Sequence, residues 1–376
     1  MKTKVKRGAI LLFSLSILLV PDLYAGSGNA PRLNNGKKWR VSYYEGGPYS
    51  EYTDTMRTLV QGLIKIGWIT AKNPPDFRQE MPKPYIDWLT KHDSPYLSFK
   101  PDDCYSADWD DQKRVVMRRD LIKKLKRGDI DIVLAMGTWA GLDMANNEHS
   151  VSVMVLSTSD PISAGIINSA TDSGFDHVTA RVDPNRYARQ LRMFHRIVGF
   201  DTLGIALEDT EDGHSYSAIN EARQIAEERG FELITCNVLD SIPDKQESDR
   251  SCFNCFHELS KKADAVYLTA LVCADTRTKE LADIFKNARI PSFSMIGSKW
   301  VKGGILMSIS SDSGYAGLGG YNADKFGKIL NGTKPRNLNQ IFEDPLEIAI
   351  NMATAKAIGF RMPQSMLKIA AEVYEE

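Results

Sequence analysis

What this chain lacks narrows its function before its motifs are considered. Its 376 residues carry 47 Lys and Arg against 48 Asp and Glu, a net charge of -1, so there is no electrostatic footprint for nucleic acid or an anionic membrane. A balanced surface of this kind suits a small-molecule partner. No Gly-x-Ser-x-Gly nucleophile turn, His-Glu-x-x-His zinc helix or glycine-rich phosphate loop occurs, which leaves an enzymatic reading without a motif to rest on. One Cys-x-x-Cys pair with no second pair at suitable spacing does not make a zinc site. No catalytic residue, metal or cofactor is expected.

Cysteine is also scarce. Cys104, Cys236, Cys252, Cys255 and Cys273 make an odd number, so at least one stays free unless it bridges to another chain. Cys252-Phe253-Asn254-Cys255 opens a helical pattern running to Lys262, where a helix N-terminus would stabilise a thiolate. A redox site should follow a buried strand, however, and the preceding Ser241 to Arg250 reads as a polar loop. A local disulfide or idle thiols is the expectation there.

The apolar run near the start, Ala9 to Val20, is interrupted by Ser14 and Ser16 and stopped by Pro21 and Asp22, short of the roughly 20 residues a membrane span needs. Lys2, Lys4, Lys6 and Arg7 precede it and Leu23-Tyr24-Ala25 follows, so residues 1–25 read as a cleaved secretory signal. With no cysteine near the cleavage point, a lipoprotein anchor is not expected. The mature chain is expected to be soluble and periplasmic, with length enough for two domains.

The stretch "VSYYEGGPYSEYT", residues 41–53, reads as a strand broken by Gly46, Gly47 and Pro48 and resumed as a helix. Trp39, Val41 and Tyr43 alternate as in a half-buried strand, Ser50 or Thr53 is placed to cap, and Met56, Leu59, Val60 and Leu63 follow at helical spacing. Beyond residue 128, strand-like runs alternate with helical patterns, Thr202 to Leu207 and Ala265 to Thr269 among the former, Asn185 to Val198 and Ser217 to Arg229 among the latter. That rhythm defines parallel sheets wrapped by helices. In Asn185 to Val198 the apolar stripe Tyr187, Leu191, Phe194 and Val198 leaves Arg186, Arg189 and Arg192 to water. Breaks at residues 157–165 and 308–321 fit crossings between two lobes.

The tail "EIAINMATAKAIGFRMPQSMLKIAAEVYEE", with "LAMGTWAG", "STSDPISAGIINS" and "LGGYNADKFGKILNGTKP", resembles the ABC-transporter substrate-binding family that includes tryptophan- and tyrosine-binding members. The resemblance spans roughly residues 37–70 and 112–376. It implies an α/β, two-lobed type I periplasmic-binding-protein fold, each lobe a parallel sheet flanked by helices, with three hinge crossings. By that analogy residues 37–158 and 309–333 form the N-terminal lobe, and residues 159–308 and 334–376 the C-terminal lobe.

Carried over onto this sequence, the ligand cleft takes Tyr44 and Glu45 after the first strand, Gly137 and Thr138 at "MGTWAG", and Ser159 and Asp160 at the family's Thr-Asp-Pro hinge. From the second lobe come Glu208, Asp209, Ser215, Tyr216, Thr269 and Met295. Backbone N–H groups at helix starts suit a carboxylate, and a fixed acid such as Asp160 or Glu208 suits an ammonium, so a zwitterion satisfies both. Tyr43, Tyr44, Tyr49, Trp139 or Tyr216 would stack on its body. His214, near Asp212, fits a ligand or capping contact better than a general base. Two departures stand out: Ala316 and Gly317 precede Leu318-Gly319 where the family carries an acidic or aromatic pair, and residues 73–111 are longer than usual and rich in aromatics. The latter is expected to pack on its own lobe, with a lid or partner surface as the alternative.

The resemblance implies a monomeric receptor that delivers an amino acid, aromatic or branched, to an ABC transporter permease by hinge closure. An exported sensor-type binding protein and an exported enzyme on a related scaffold are the alternatives.

Overall fold

The computed structural model describes residues 28–71, 74–76, 82–309, 314–343 and 345–375, so the expected signal segment lies outside the described residues. The first lobe runs through β1 (Trp39–Glu45), α1 (Ser50–Lys65), α2 (Pro82–Lys91), β2 (Leu97–Ser106) and α3 (Asp111–Arg127). It continues with β3 (Ile132–Met136), α4 (Gly137–Met144), β4 (Ser152–Leu156) and β5 (Val178–Ala180). These strands form one parallel sheet in the order β2-β1-β3-β4-β5.

Apolar runs place these strands, because a parallel sheet covered on both faces buries successive side chains alternately. Every residue of β3 is buried. Val41, Tyr43, Leu134 and Met136 pack on the α1 face, while Tyr44, Val133 and Ala135 pack on the α3 and α4 face. At the sheet's edge, β2 shifts register against β1 between Val41 and Tyr43, and its exposed Lys100, Pro101 and Asp102 blunt the edge against pairing with another chain. Of the long segment 73–111, Tyr85, Ile86, Leu89, Leu97 and Phe99 join this lobe's own core, as expected.

The second lobe is built from α5 (Arg186–Val198), β6 (Thr202–Leu207), α6 (Glu211–Tyr216), α7 (Ile219–Arg229), β7 (Glu232–Asn237) and α8 (Lys245–Lys262). Next come β8 (Ala265–Leu268), α9 (Val272–Thr276), α10 (Thr278–Ala288), β9 (Ser292–Ser294), α11 (Ser298–Lys302) and β10 (Met307–Ser308). The chain then returns to the first lobe as α12 (Gly314–Leu330), which packs on α1, and crosses back as β11 (Ala349–Asn351), α13 (Met352–Ile358), α14 (Gln364–Ile369) and β12 (Glu372–Tyr374). The second sheet has the order β12-β11-β10-β9-β8-β6-β7 and is parallel except between β10 and β11.

The lobe boundary near residue 158 is corrected by this topology. β5 pairs with β4, so residues up to Ala180 belong to the first sheet and the first crossing follows them. There Val182 pairs with Ile341 of the last crossing: its N–H donates to the Gln340 carbonyl at 2.7 Å, and the Phe342 N–H donates to the Val182 carbonyl at 3.0 Å. Two crossings are thus tied side by side at the hinge.

The cysteine expectation is corrected as well. Residues 245–251 are not a loop: Asp244 caps α8, accepting from the Gln246 and Glu247 N–H groups, and the Cys-x-x-Cys pair sits in mid-helix. Each member pairs outward, Cys255 with Cys236 on β7 and Cys252 with Cys273 on α9, which staples α8 to both neighbours. Cys104 is free, and burial pushes its thiol up to about 12, far from a reactive thiolate.

Candidate functional site

A small cleft, with a cavity volume of about 50 Å³, opens where the strand ends of the first sheet face those of the second. Its first-lobe wall is aromatic, made of Tyr49, Tyr52, Trp109 and Trp139; Tyr216, Asp240 and Ser241 face them from the second lobe. A second, smaller cavity of about 20 Å³ adjoins it, lined by Thr158, Arg181 and Arg186 and sharing Glu51, Ser157 and Ser159 with the first.

The glycine break after β1 explains how the aromatic wall is assembled. A Cβ on Gly47 would lie 2.4 Å from the Trp109 ring, and one on Gly46 2.8 Å from the Trp139 Cβ. Only two residues without side chains let both tryptophans lie over the turn, and their rings meet edge to face at 5.5 Å. The turn does not end in a side-chain cap: Tyr49 occupies the cap position, and the Ser50 hydroxyl instead donates to Asp275 of the second lobe at 2.8 Å. Lys299 pairs with the same Asp275 at 2.6 Å, so the lobes touch across the mouth of the cleft.

Glu51 follows at the junction of the two cavities. No hydrogen bond from a described residue reaches its carboxylate. Burial pushes its pKa up to about 7, against the pull of Arg186 and Arg181, with Asp275 and Asp54 adding to the rise. Beside it Ser157 adopts a left-handed backbone, φ 55°, at the end of β4. The Ser157 Oγ and Thr158 Oγ1 are shut off from solvent without a partner among the described residues. Backbone strain and buried unsatisfied hydroxyls both raise the energy of a fold and concentrate where a ligand is held.

The second-lobe wall is fully engaged. Glu208 accepts from the Asp240 and Ser241 N–H groups at 2.9 and 2.7 Å, from the Ser241 hydroxyl at 2.8 Å and from the Tyr216 hydroxyl. Asp240, 3% exposed, accepts from the Val272 and Cys273 N–H groups at 2.6 and 3.1 Å. Burial nevertheless raises its pKa to about 7, the two N–H donors opposing and Glu208 and Asp249 adding.

Of the residues expected in the cleft, Gly137, Thr138, Ser159 and Tyr216 line it. The others lie elsewhere. Tyr44 is buried on the α3 face, donating to Asp143 at 2.5 Å, because its place in β1 points it away from the α1 side. Glu45 bonds to the Tyr43 hydroxyl in a separate cavity under α2, and burial raises its pKa to about 7. Asp160 caps its own turn, accepting from the Ile162 and Ser163 N–H groups at 3.0 Å each. Glu208 stands behind Tyr216 and Ser241 as their brace. Asp209 is exposed and pairs with His214 at 3.0 Å, and the Ser215 hydroxyl donates to the Asp160 carbonyl at 3.2 Å. Thr269 donates to the Ala206 carbonyl at 2.8 Å, and Met295 is core.

Glu51, Trp109, Ser157, Arg186 and Asp240 were not anticipated. Glu51 was within reach of the sequence, since it is the second residue of the helix that follows the first strand. Arg186 was assigned to a solvated row, but it begins α5, where the hinge turns it toward the cleft. Trp109 closes a segment whose other described aromatics pack on their own lobe, and it alone of them also lines the cleft. Nothing in the residues around Asp240 marks it, because α9 brings its partners from 32 and 33 residues away.

A two-lobed α/β fold with a cleft between parallel sheets defines a binding protein, and comparison with known proteins agrees. The chain belongs to the ABC transporter substrate binding protein family, whose model matches residues 104–374. A domain solved in complex with L-Trp from Streptococcus pneumonia covers 90% of this chain and 100% of its own at 18% identity, with a TM-score of 0.69. A conserved domain protein from Vibrio cholerae gives the same coverage and TM-score at 16% identity. A ligand-free, open substrate binding protein with adhesive properties from Clostridium difficile gives the same coverage at 16% identity and a TM-score of 0.58. At these identities the likeness shows the fold, that of type I periplasmic binding proteins. No curated protein matches the chain. Among the described residues, no helix is long and apolar enough to cross a membrane.

Proposed function

We propose that the protein is the extracytoplasmic receptor of an ABC importer, exported with a cleaved signal segment, and that it captures one zwitterion of the amino-acid class between its lobes for delivery to a membrane permease. The observation that carries this reading is Glu51, a carboxylate at the junction of two cavities that accepts no hydrogen bond from a described residue, with Arg186 and the hydroxyls of Ser157 and Thr158 lining the adjoining space. An ammonium belongs at Glu51 and a carboxylate among those donors, leaving the side chain to enter the aromatic cavity. Closure follows from geometry: a ligand touching both walls favours the closed form by its differential contacts.

The experiment is thermal unfolding of protein that has been unfolded and refolded to strip retained ligand, against the full set of amino acids. At 100 times Kd a ligand stabilises by about 2.7 kcal/mol. One amino acid is expected to raise the unfolding temperature, and Glu51→Gln to weaken its binding at least tenfold. Unchanged affinity in that variant would remove Glu51 from the site, and no response to any amino acid would sink the proposal.

A further inference from the structure

The charges around the aromatic cavity are one-sided. Glu51 from the first lobe and Asp240 from the second both line it, Glu208 accepts from the Asp240 N–H, and among the described residues no lysine or arginine lines this cavity. Arg181 and Arg186 line the adjoining one. Arg114 comes closest to the aromatic wall, but its Nε donates to Asp143 at 3.0 Å and its guanidinium lies 4.6 Å from the Trp139 ring centroid, on a residue of the wall and not in the space the wall encloses.

A negative end wall behind aromatic faces has a chemical preference. Ring faces and carboxylates both attract organic cations, and the attraction grows as water is excluded. A neutral branched or aromatic side chain filling the same space would press apolar atoms against a carboxylate that is already 3% exposed and has only two N–H donors. A cationic group there offsets that cost.

Resting on the amino-acid reading above, we propose that the ligand is an amino acid with a positively charged side chain, whose zwitterionic end meets Glu51 and whose far end crosses the aromatic cavity to Asp240.

Titration adds a second signature. Both carboxylates have pKa values of about 7, so raising the pH from 6 to 8 ionises them. Glu51 does so facing Arg186, Arg181, Asp275, Asp54 and the hydroxyls of Tyr52 and Tyr187; Asp240 does so facing Glu208, Asp249 and the Tyr216 hydroxyl. A cationic side chain engages both carboxylates and a neutral one only Glu51, so affinity for the former rises more steeply with pH.

The test is calorimetric titration of the refolded mature protein with L-arginine, L-lysine, L-tryptophan and L-leucine at pH 6 and pH 8. L-arginine or L-lysine is expected to bind at least tenfold tighter than either neutral amino acid at pH 8, with the margin shrinking at pH 6. Asp240→Asn should erase that margin, and the wild-type comparison stands whether or not this variant folds. Tighter or equal binding of L-tryptophan or L-leucine overturns the charge assignment and leaves the receptor reading intact. Binding of none of the four, and of no other amino acid, overturns both.

Discussion

Glu51 and Glu208 approach the same cleft from opposite lobes, and their surroundings treat them in opposite ways. Glu208 is saturated by two backbone N–H groups and two hydroxyls, whereas Glu51 receives no hydrogen bond from a described residue. The contrast extends to the lobes. The second carries both disulfides and a wall whose acids are held by their own neighbours; the first, with the hinge, carries a strained Ser157, and the Ser157 and Thr158 hydroxyls have no partner among the described residues. A carboxylate with a full set of donors is spent on the fold, and one without them is open to a ligand. The second lobe's Glu208 is held by its own neighbours, and the first lobe together with the hinge carries Glu51, Ser157 and Thr158, whose side chains have no hydrogen-bond partner among the described residues.

Removing the saturated acid should have the largest effect on the fold. Glu208→Ala leaves the Asp240 and Ser241 N–H groups and two hydroxyls without an acceptor, an expected loss of about 3 kcal/mol of stability, read from the urea midpoint. A variant that keeps its midpoint but loses affinity would instead make Glu208 a ligand contact and dissolve the contrast with Glu51. Gly137→Ala comes next. Its φ of 78° and a Cβ that would lie 2.0 Å from the Tyr52 hydroxyl predict a loss of about 2 kcal/mol and a distorted aromatic wall. Tyr52→Phe in the same chain should restore part of the stability by removing the clashing oxygen, and no recovery would place the strain in the backbone alone. Asp160→Ala is expected to be the mildest, costing about 1 kcal/mol through its lost turn cap and changing affinity less than twofold. A tenfold loss of affinity would return Asp160 to the cleft.

Much of the fold was legible because parallel strands are short continuous apolar runs. Thr202–Leu207 forms at the residues its pattern indicates, and Ala265–Leu268 stops one residue short of the run read in the sequence. The start of α8 was not legible. Its buried face runs through Ser248, Cys252, Cys255, Phe256 and Leu259, a helical stripe whose first members are too polar or small to register as apolar. β5 is three residues long and gains its place only by pairing with β4. Turns after strands marked Gly137, Thr138 and Tyr216 for the cleft, but the same logic misplaced Tyr44 and Glu45, because it locates a strand's end without saying which face its last side chains take.

By itself the sequence determined what depends on neighbours within a few residues: the strands and most helices, the glycine break that clears room for two tryptophans, and a charge balance that points away from nucleic acid. The tertiary structure decided what depends on residues far apart in the chain. Cys252 and Cys255 share one buried face of α8, yet pair with Cys273 on α9 and Cys236 on β7, because two different elements pack against that face. Glu208 is a brace because distant segments deliver four hydrogen-bond donors to it, and Glu51 is left for the proposed ligand because no described residue donates to it. Periodicity encodes which way a helix or strand faces its own core; which donors and acceptors meet across a cleft is set only when the sheets pack.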